Sequence, residues 1–220
     1  PVVWTMHDIW PATAICHLTL GCRRFQERCH HCKYLPGGGS SNDLAACVWS
    51  RKKQLFDRHH MLMVACSHWL SGEAKRSGLL KGQRVVAIPN PIDTAVYHPL
   101  DRSESRRALG LPDDKLFVLF VSQRTTNVNK GMGYLTEACQ QLTTHHPELR
   151  EHLAVMILGG HAEEVAPAFD IPVYPLGYVN DVQRIVKVYN AADVFVLPSL
   201  SENLPNTIME AMACGIPCLG

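Results

Sequence analysis

Short runs of consecutive apolar residues alternate along this chain with longer stretches whose apolar positions recur at helical spacing. The runs at 2–5, 61–66, 84–88, 116–121, 153–158, 173–176 and 194–197 predict buried strands, and 216–220 reads as one more. Helices are expected from Asp43 to about residue 58, after Ser67, from Gly131 onward, over 183–191 and from Pro205. Asp43 and Ser67 stand where a helix start wants a side-chain acceptor, and Pro205 where a first turn tolerates proline. In the helix after Asp43, Leu44, Val48 and Leu55 mark an apolar side. Arg51, Lys52 and Lys53 lie on another side, as a solvated face or a contact for lipid phosphates. From 116 onward strands and helices alternate strictly, which predicts a parallel sheet with right-handed crossovers, covered by helices on both faces. The charged stretch 100–114, with prolines at its edges, reads as a domain boundary carrying one short helix. The expected organisation is therefore α/β, with domains over 1–98 and 116–220 joined by a linker at 99–115.

With 220 residues the chain has room for one large domain or two small ones. The net charge of +1 gives no electrostatic reason to expect nucleic acid as a partner. No apolar run approaches the roughly 20 residues of a membrane span, and a cytoplasmic location is expected. Pro1 opens the sequence inside an apolar run and Gly220 closes it on a strand, so the expectation is a segment from the middle of a longer protein.

Candidate chemistry gathers at strand ends, where open α/β sheets bind ligands. Glu202 follows the 194–197 strand, and Glu210 interrupts a helix otherwise made of Ile208, Met209, Ala211, Met212 and Ala213. A carboxylate on so apolar a helix needs a partner, a ligand or a narrow exposed face. The start of that helix offers free N–H groups to an anion. Arg124 and Lys130 lie on the polar stretch after the 116–121 strand, where two cations suit phosphate oxygens. Gly159 and Gly160 allow close approach of backbone to a ligand. His7 and Asp8 sit past the first strand, either as functional groups or as a strand–loop corner. The glycine-rich run at 35–42 is a connector, since no lysine follows at phosphate-loop spacing.

Cys16, Cys22, Cys29 and Cys32 fall within seventeen residues, with His17, His30 and His31 among them. Cys29 and Cys32 form a C-x2-C knuckle, half of a tetrahedral zinc site; Cys16 and Cys22 supply two more thiolates, and His17 is a substitute ligand. Two disulfides or four unrelated thiols are the competing readings. Cys47, Cys66, Cys139, Cys214 and Cys218 read as small core residues.

Glu202-x7-Glu210, the preceding ADVFVLPS and the following PNTIMEAMACGIPCLG resemble the signature region of family 4 retaining nucleotide-sugar glycosyltransferases. The chain is also similar to bacterial exopolysaccharide enzymes of the colanic-acid type. TMHD at 5–8, IPNPIDTAVYHP at 88–99 and Lys130-Gly131 are similar to further words of that family, with Pro91 where glycine is usual and Ser122-Gln123 where glycine is expected. The resemblance implies the GT-B fold, two Rossmann-like domains facing across a cleft, both incomplete here. It implies that Arg124 and Lys130 grip the donor diphosphate, and that Glu202 holds donor sugar hydroxyls and Glu210 the ribose. Gly160, Tyr178 and Val179 would line the nucleotide, with Asn203, Leu204, Pro205, Asn206 and Thr207 at the helix start. His7 and Asp8 would stand near the reacting carbon. The implied donor is a nucleoside-diphosphate sugar and the acceptor a glycan or lipid-linked sugar, with retention of configuration, no metal in the chemistry and a peripheral contact with the inner face of the membrane. An epimerase on the same fold and a zinc-stapled binding module without turnover are the alternatives.

Overall fold

The computed structural model describes residues 2–220. The chain forms two compact units: one runs up to Pro91 and includes Ser201–Leu204, and the other comprises Ile92–Leu200 and Pro205–Gly220.

The first unit is built on three parallel strands, β1 (Val2–Met6), β2 (Met61–Ala65) and β3 (Arg84–Ala87), in the order β1-β2-β3. Helix α1 (Leu44–Arg58) joins the first two strands, and α2 (His68–Arg76) joins the next two. Both caps expected from sequence form: Asp43 accepts from the Ala46 N–H, and Ser67 from the Leu70 N–H at 3.0 Å. The face that α1 buries differs from the expected one. Ala45, Ala46, Trp49 and Phe56 are in the core, while Leu44 and Leu55 are 58% and 43% exposed. Two stripes at helical spacing compete on this helix, and the one bearing Trp49 and Phe56 has more apolar area to remove from water. Lys52 lies on that buried stripe, not on a solvated face. Its ammonium donates to the carbonyls of Trp10 at 2.7 Å and Thr13 at 3.0 Å, and sits 3.4 Å from the Trp10 ring centroid. Burial lowers its pKa to about 8 against the opposing pull of Cys29, Asp8 and Cys16.

The second unit is a five-stranded, all-parallel sheet in the order β6-β5-β4-β7-β8. Its strands are β4 (Leu116–Arg124), β5 (Leu153–Gly160), β6 (Val173–Gly177), β7 (Val194–Val196) and β8 (Cys218–Leu219). Helices α4 (Met132–His145), α5 (Ala162–Val165), α6 (Val182–Ala191) and α7 (Asn206–Ala213) make the crossovers. Two apolar clusters, one on each face, cover the sheet: Phe117, Leu119, Met156, Tyr189 and Phe195 on one side, Val118, Phe120, Leu135, Val155 and Ile157 on the other. This double coverage explains why β4 and β5 read as continuous apolar runs.

Residues 99–115 belong to the second unit and carry helix α3 (Arg102–Leu109), which packs on α6. Arg106 is 5% exposed and donates to the Ala191 carbonyl at 2.9 Å, the Asp113 carbonyl at 3.0 Å and Asp193 Oδ2 at 2.7 Å, with its guanidinium over the Phe117 ring. Asp193 Oδ2 also accepts from the Phe117 N–H at 2.7 Å, and Arg102 reaches Oδ1 from the surface. Asn190 completes the attachment, accepting from the Leu100 N–H and donating to the His98 carbonyl.

Candidate active site

In the second unit the strand order reverses between β4 and β7: from β4 the chain winds outward through β5 and β6, then returns to lay β7 and β8 on the other side. A reversal of this kind opens a crevice at the carboxyl ends of the two central strands, where ligands of open α/β sheets sit. Here the crevice is bordered by the loop after β4, which ends in Lys130-Gly131, and by the start of the loop after β7, Pro198 to Leu200.

The two loops are fitted to each other closely. Gly131 adopts φ 75°, and a Cβ there would lie 1.8 Å from the Pro198 carbonyl oxygen, so only glycine is tolerated. The Leu200 N–H donates to the Asn129 carbonyl at 2.9 Å. A single turn of 3-10 helix, Val128–Lys130, is capped by Asn127 and fixes the lysine's backbone. Arg124 is not on the loop, as its polar neighbours suggested, but is the last residue of β4, paired with Gly160 after a register break. The physical reason lies in Gly159: at φ 147° without a side chain it admits the Ser122 carbonyl, which a Cβ would meet at 1.8 Å, and the ladder extends past the apolar run. The Arg124 side chain is exposed and donates to Thr126 Oγ1 at 3.1 Å. The Gly160 carbonyl is held by Thr125, through its N–H at 3.1 Å and its hydroxyl at 3.0 Å.

Pro205 is the N-cap residue of α7, so the helix itself begins at Asn206. Ser199 Oγ and Asn203 Oδ1 on the preceding loop are buried and have no hydrogen-bond partner. Unmet polar atoms are costly in an interior and are enriched where a ligand completes them. Tyr178, 60% exposed, and Val179 follow β6, with Val179 resting on the core. Residues Ser201–Leu204 cluster with the first unit: Asn203 Nδ2 donates to the His7 carbonyl at 3.2 Å, and Leu204 packs on that unit's core. Asp8 Oδ1 accepts from the Trp10 N–H at 2.8 Å and Oδ2 lies 3.4 Å from His17 Nδ1, so Asp8 closes a corner while the His7 side chain is exposed.

Residues 115–220 match the family model described as Glycosyl transferases group 1. The chain is 31% identical over 145 residues to a D-inositol 3-phosphate glycosyltransferase of Acidothermus cellulolyticus, covering 61% of this chain and 32% of the relative. To the protein of that name from Kribbella flavida it is 34% identical over 145 residues, with 60% and 34% covered. The chain thus spans about a third of the length of the curated relatives it matches. Among solved structures, Anabaena HepE in complex with UDP and glucose superposes with a TM-score of 0.66 at 20% identity, over 99% of this chain and 52% of that one. Sucrose-phosphate synthase from Thermosynechococcus elongatus gives 0.58 at 24% identity, over 71% and 39%. These structures share the fold, α/β units of the GT-B type.

In the second unit the partner demanded by Glu210 is a phenol. Tyr189 of α6 donates its hydroxyl to Glu210 Oε2 at 2.6 Å, and Tyr97 stands beside it, its ring edge-on to that of Tyr189 at 6.3 Å. Sequence reasoning missed both tyrosines. The signal was present, because a tyrosine on the apolar stripe of a buried helix needs an acceptor for its hydroxyl just as Glu210 needs a donor.

The four clustered cysteines line one small cavity of about 20 Å³ in the first unit, together with His30, whose buried Nδ1 has no hydrogen-bond partner. None is in a disulfide. Burial raises Cys29 to about 11, and burial with the proximity of Cys32 and Cys22 raises Cys16. Among the described residues no three His, Cys, Asp or Glu side chains are gathered closely enough to hold a metal ion. The thiols share a cavity without forming a finished ligand set. Cys66, Cys139 and Cys214 are core residues as expected, whereas Cys47 is exposed and Cys218 half-buried. No helix among the described residues is long and apolar enough to cross a membrane.

Proposed function

We propose that the protein transfers a glycosyl group from a nucleoside-diphosphate sugar to an acceptor hydroxyl, with retention of configuration. The observation that carries this reading is the pair of interlocked loops at the β4/β7 reversal, one bearing Lys130 and the other leading through Glu202 to the start of α7. Departure of a diphosphate develops negative charge, so preorganised positive groups are the main requirement. Lys130 supplies a point charge, Arg124 a second cation at the end of β4, and the α7 start, with Asn206 and Thr207, the positive end of a helix dipole. Glu202 holds sugar hydroxyls and Glu210 the ribose. Gly160, Tyr178 and Val179 border the nucleotide, Asn203, Leu204 and Pro205 shape the loop, and His7 and Asp8 serve the acceptor side. That HepE is crystallised with UDP and with glucose supports a nucleotide-sugar donor. A cytoplasmic glycan or lipid-linked acceptor in polysaccharide synthesis, met at the membrane surface, is the corresponding biological setting.

The two glutamates test the reading. Glu202 acts where charge develops, so Glu202→Gln in the full-length protein is expected to lower kcat. Glu210 is the fifth residue of α7, roughly 6 Å from its first residue at about 1.5 Å per residue. Contact with the nucleoside is equal in ground and transition states, so Glu210→Gln is expected chiefly to raise the donor KM. Steady-state kinetics over a panel of nucleotide sugars, read by released nucleoside diphosphate, measures both. The same kinetic pattern in both variants would refute the division of roles. Release of nucleotide without a glycosylated product, or an isomerised sugar, would replace transfer with hydrolysis or epimerisation.

For the cysteine cavity the proposal is a structural zinc, supported by four unpaired thiols on one cavity and the unpartnered imidazole nitrogen beside them. Binding would draw the thiolates inward, and four protein ligands leave no position open for catalysis. Elemental analysis of the purified protein is expected to find about one zinc per chain. Zinc-free protein would overturn the proposal; thiol titration then separates four free cysteines from disulfides.

A further inference from the structure

We propose that Tyr189 and Tyr97 are positioning residues for nucleotide binding, acting through Glu210. The inference rests on the reading of Glu210 as the ribose-binding carboxylate. Tyr189 is fully buried, and its hydroxyl donates to Glu210 Oε2 at 2.6 Å, the length of a charge-assisted bond. Its ring is held on two sides, edge-on to Phe195 of β7 at 6.0 Å and edge-on to Tyr97 at 6.3 Å. Tyr97 comes from the stretch by which the chain enters the second unit, and it lies close enough to Glu210 for that carboxylate to raise its phenol. Burial, and after it the Glu210 charge, raises both phenols, so they remain neutral throughout the working pH range.

The choice of a neutral donor has a consequence. A lysine or arginine in this position would hold the carboxylate equally well but cancel its charge. A neutral phenol fixes its orientation without adding an opposite charge. A carboxylate has about four lone-pair sites, so one phenol leaves capacity for ribose hydroxyls. The core of the domain, through Phe195 and two tyrosines that touch no ligand, thus sets the direction in which a helix-borne carboxylate presents its remaining lone pairs.

The test uses the full-length protein and the free nucleotide, UDP or GDP, whichever turnover releases. Tyr189→Phe keeps the ring and removes one hydrogen bond to a charged group. It is expected to raise the nucleotide Kd and the donor KM by about tenfold, with kcat changed less than about twofold. Tyr97→Phe is expected to act in the same direction and serves if Tyr189→Phe does not fold. In a Glu210→Gln background the effect of either substitution should largely vanish, because residues acting through one group are not additive. Parent-like nucleotide affinity in folded Tyr189→Phe and Tyr97→Phe, beside weakened binding in Glu210→Gln, would overturn this inference alone. Full additivity with Glu210→Gln would also overturn it. Parent-like affinity in Glu210→Gln would remove the ribose role of Glu210 and the inference together.

Discussion

Replacing Lys130 with alanine is expected to lower kcat by about 100- to 1000-fold, the usual consequence of deleting one preorganised charge-stabilising donor, or about 2.7–4 kcal/mol of transition-state stabilisation. The expectation rests on position. Lys130 closes the 3-10 turn at the carboxyl end of β4, immediately before a glycine whose conformation is dictated by contact with Pro198. Its backbone is therefore fixed before any donor arrives, and no reorganisation is needed as the diphosphate gains charge. Because the charge grows during reaction, the loss should fall on kcat more than on donor KM. Rapid-quench or steady-state rates with the full-length protein decide it. A folded Lys130→Ala variant with parent-like kcat would take this residue out of the reaction, and a change confined to KM would make it a ground-state anchor only. Arg124 provides the internal comparison: it is exposed on the strand end and tied to Thr126, so Arg124→Ala is expected to cost less.

Arg106→Leu is expected to destabilise the second unit by about 3–5 kcal/mol, the cost of breaking a buried ion pair by removing one partner. Arg106 spreads its donors over two carbonyls and Asp193, and it tethers α3 to the end of α6 and the start of β7. Its removal leaves Asp193 Oδ2 with the Phe117 N–H and opens three acceptors at once. Arg102 reaches the same carboxylate from solvent, with 57% of its side chain exposed, and Arg102→Leu should cost less than about 1 kcal/mol. Denaturant unfolding followed by far-UV circular dichroism measures both. All four tryptophans, Trp4, Trp10, Trp49 and Trp69, lie in the first unit, so their fluorescence reports on that unit separately. Equal losses for Arg106→Leu and Arg102→Leu would show that the buried geometry contributes nothing beyond surface charge.

Most of the strand–helix order was legible because two periods are written directly into the residues. Doubly covered strands are apolar throughout, and helices carry their caps in Asp43 and Ser67. Where the reading failed, two local solutions were equally good. In α1 the stripes through Leu44 and through Ala45 have the same spacing, and only the neighbours waiting in the core select Trp49 and Phe56 for burial. The loop assigned to 122–130 failed differently. Its residues are polar, but the missing Cβ of Gly159, thirty-five residues on, lets β4 continue to Arg124.

By itself the sequence determined the α/β class, the parallel second sheet and the placing of Lys130 and Glu202 on loops that follow strands and of Glu210 within a helix. These follow from local periodicity, short-range capping and motif spacing, interactions that act within a few residues. Only the tertiary structure decided what those residues meet. The strand reversal between β4 and β7, the pressing of Gly131 against Pro198, the anchoring of Lys52 under Trp10 and the Tyr189 bond to Glu210 all join residues far apart in the chain. Such pairings depend on which surfaces come together when apolar area is buried, and on which polar groups, once buried, must then find one another.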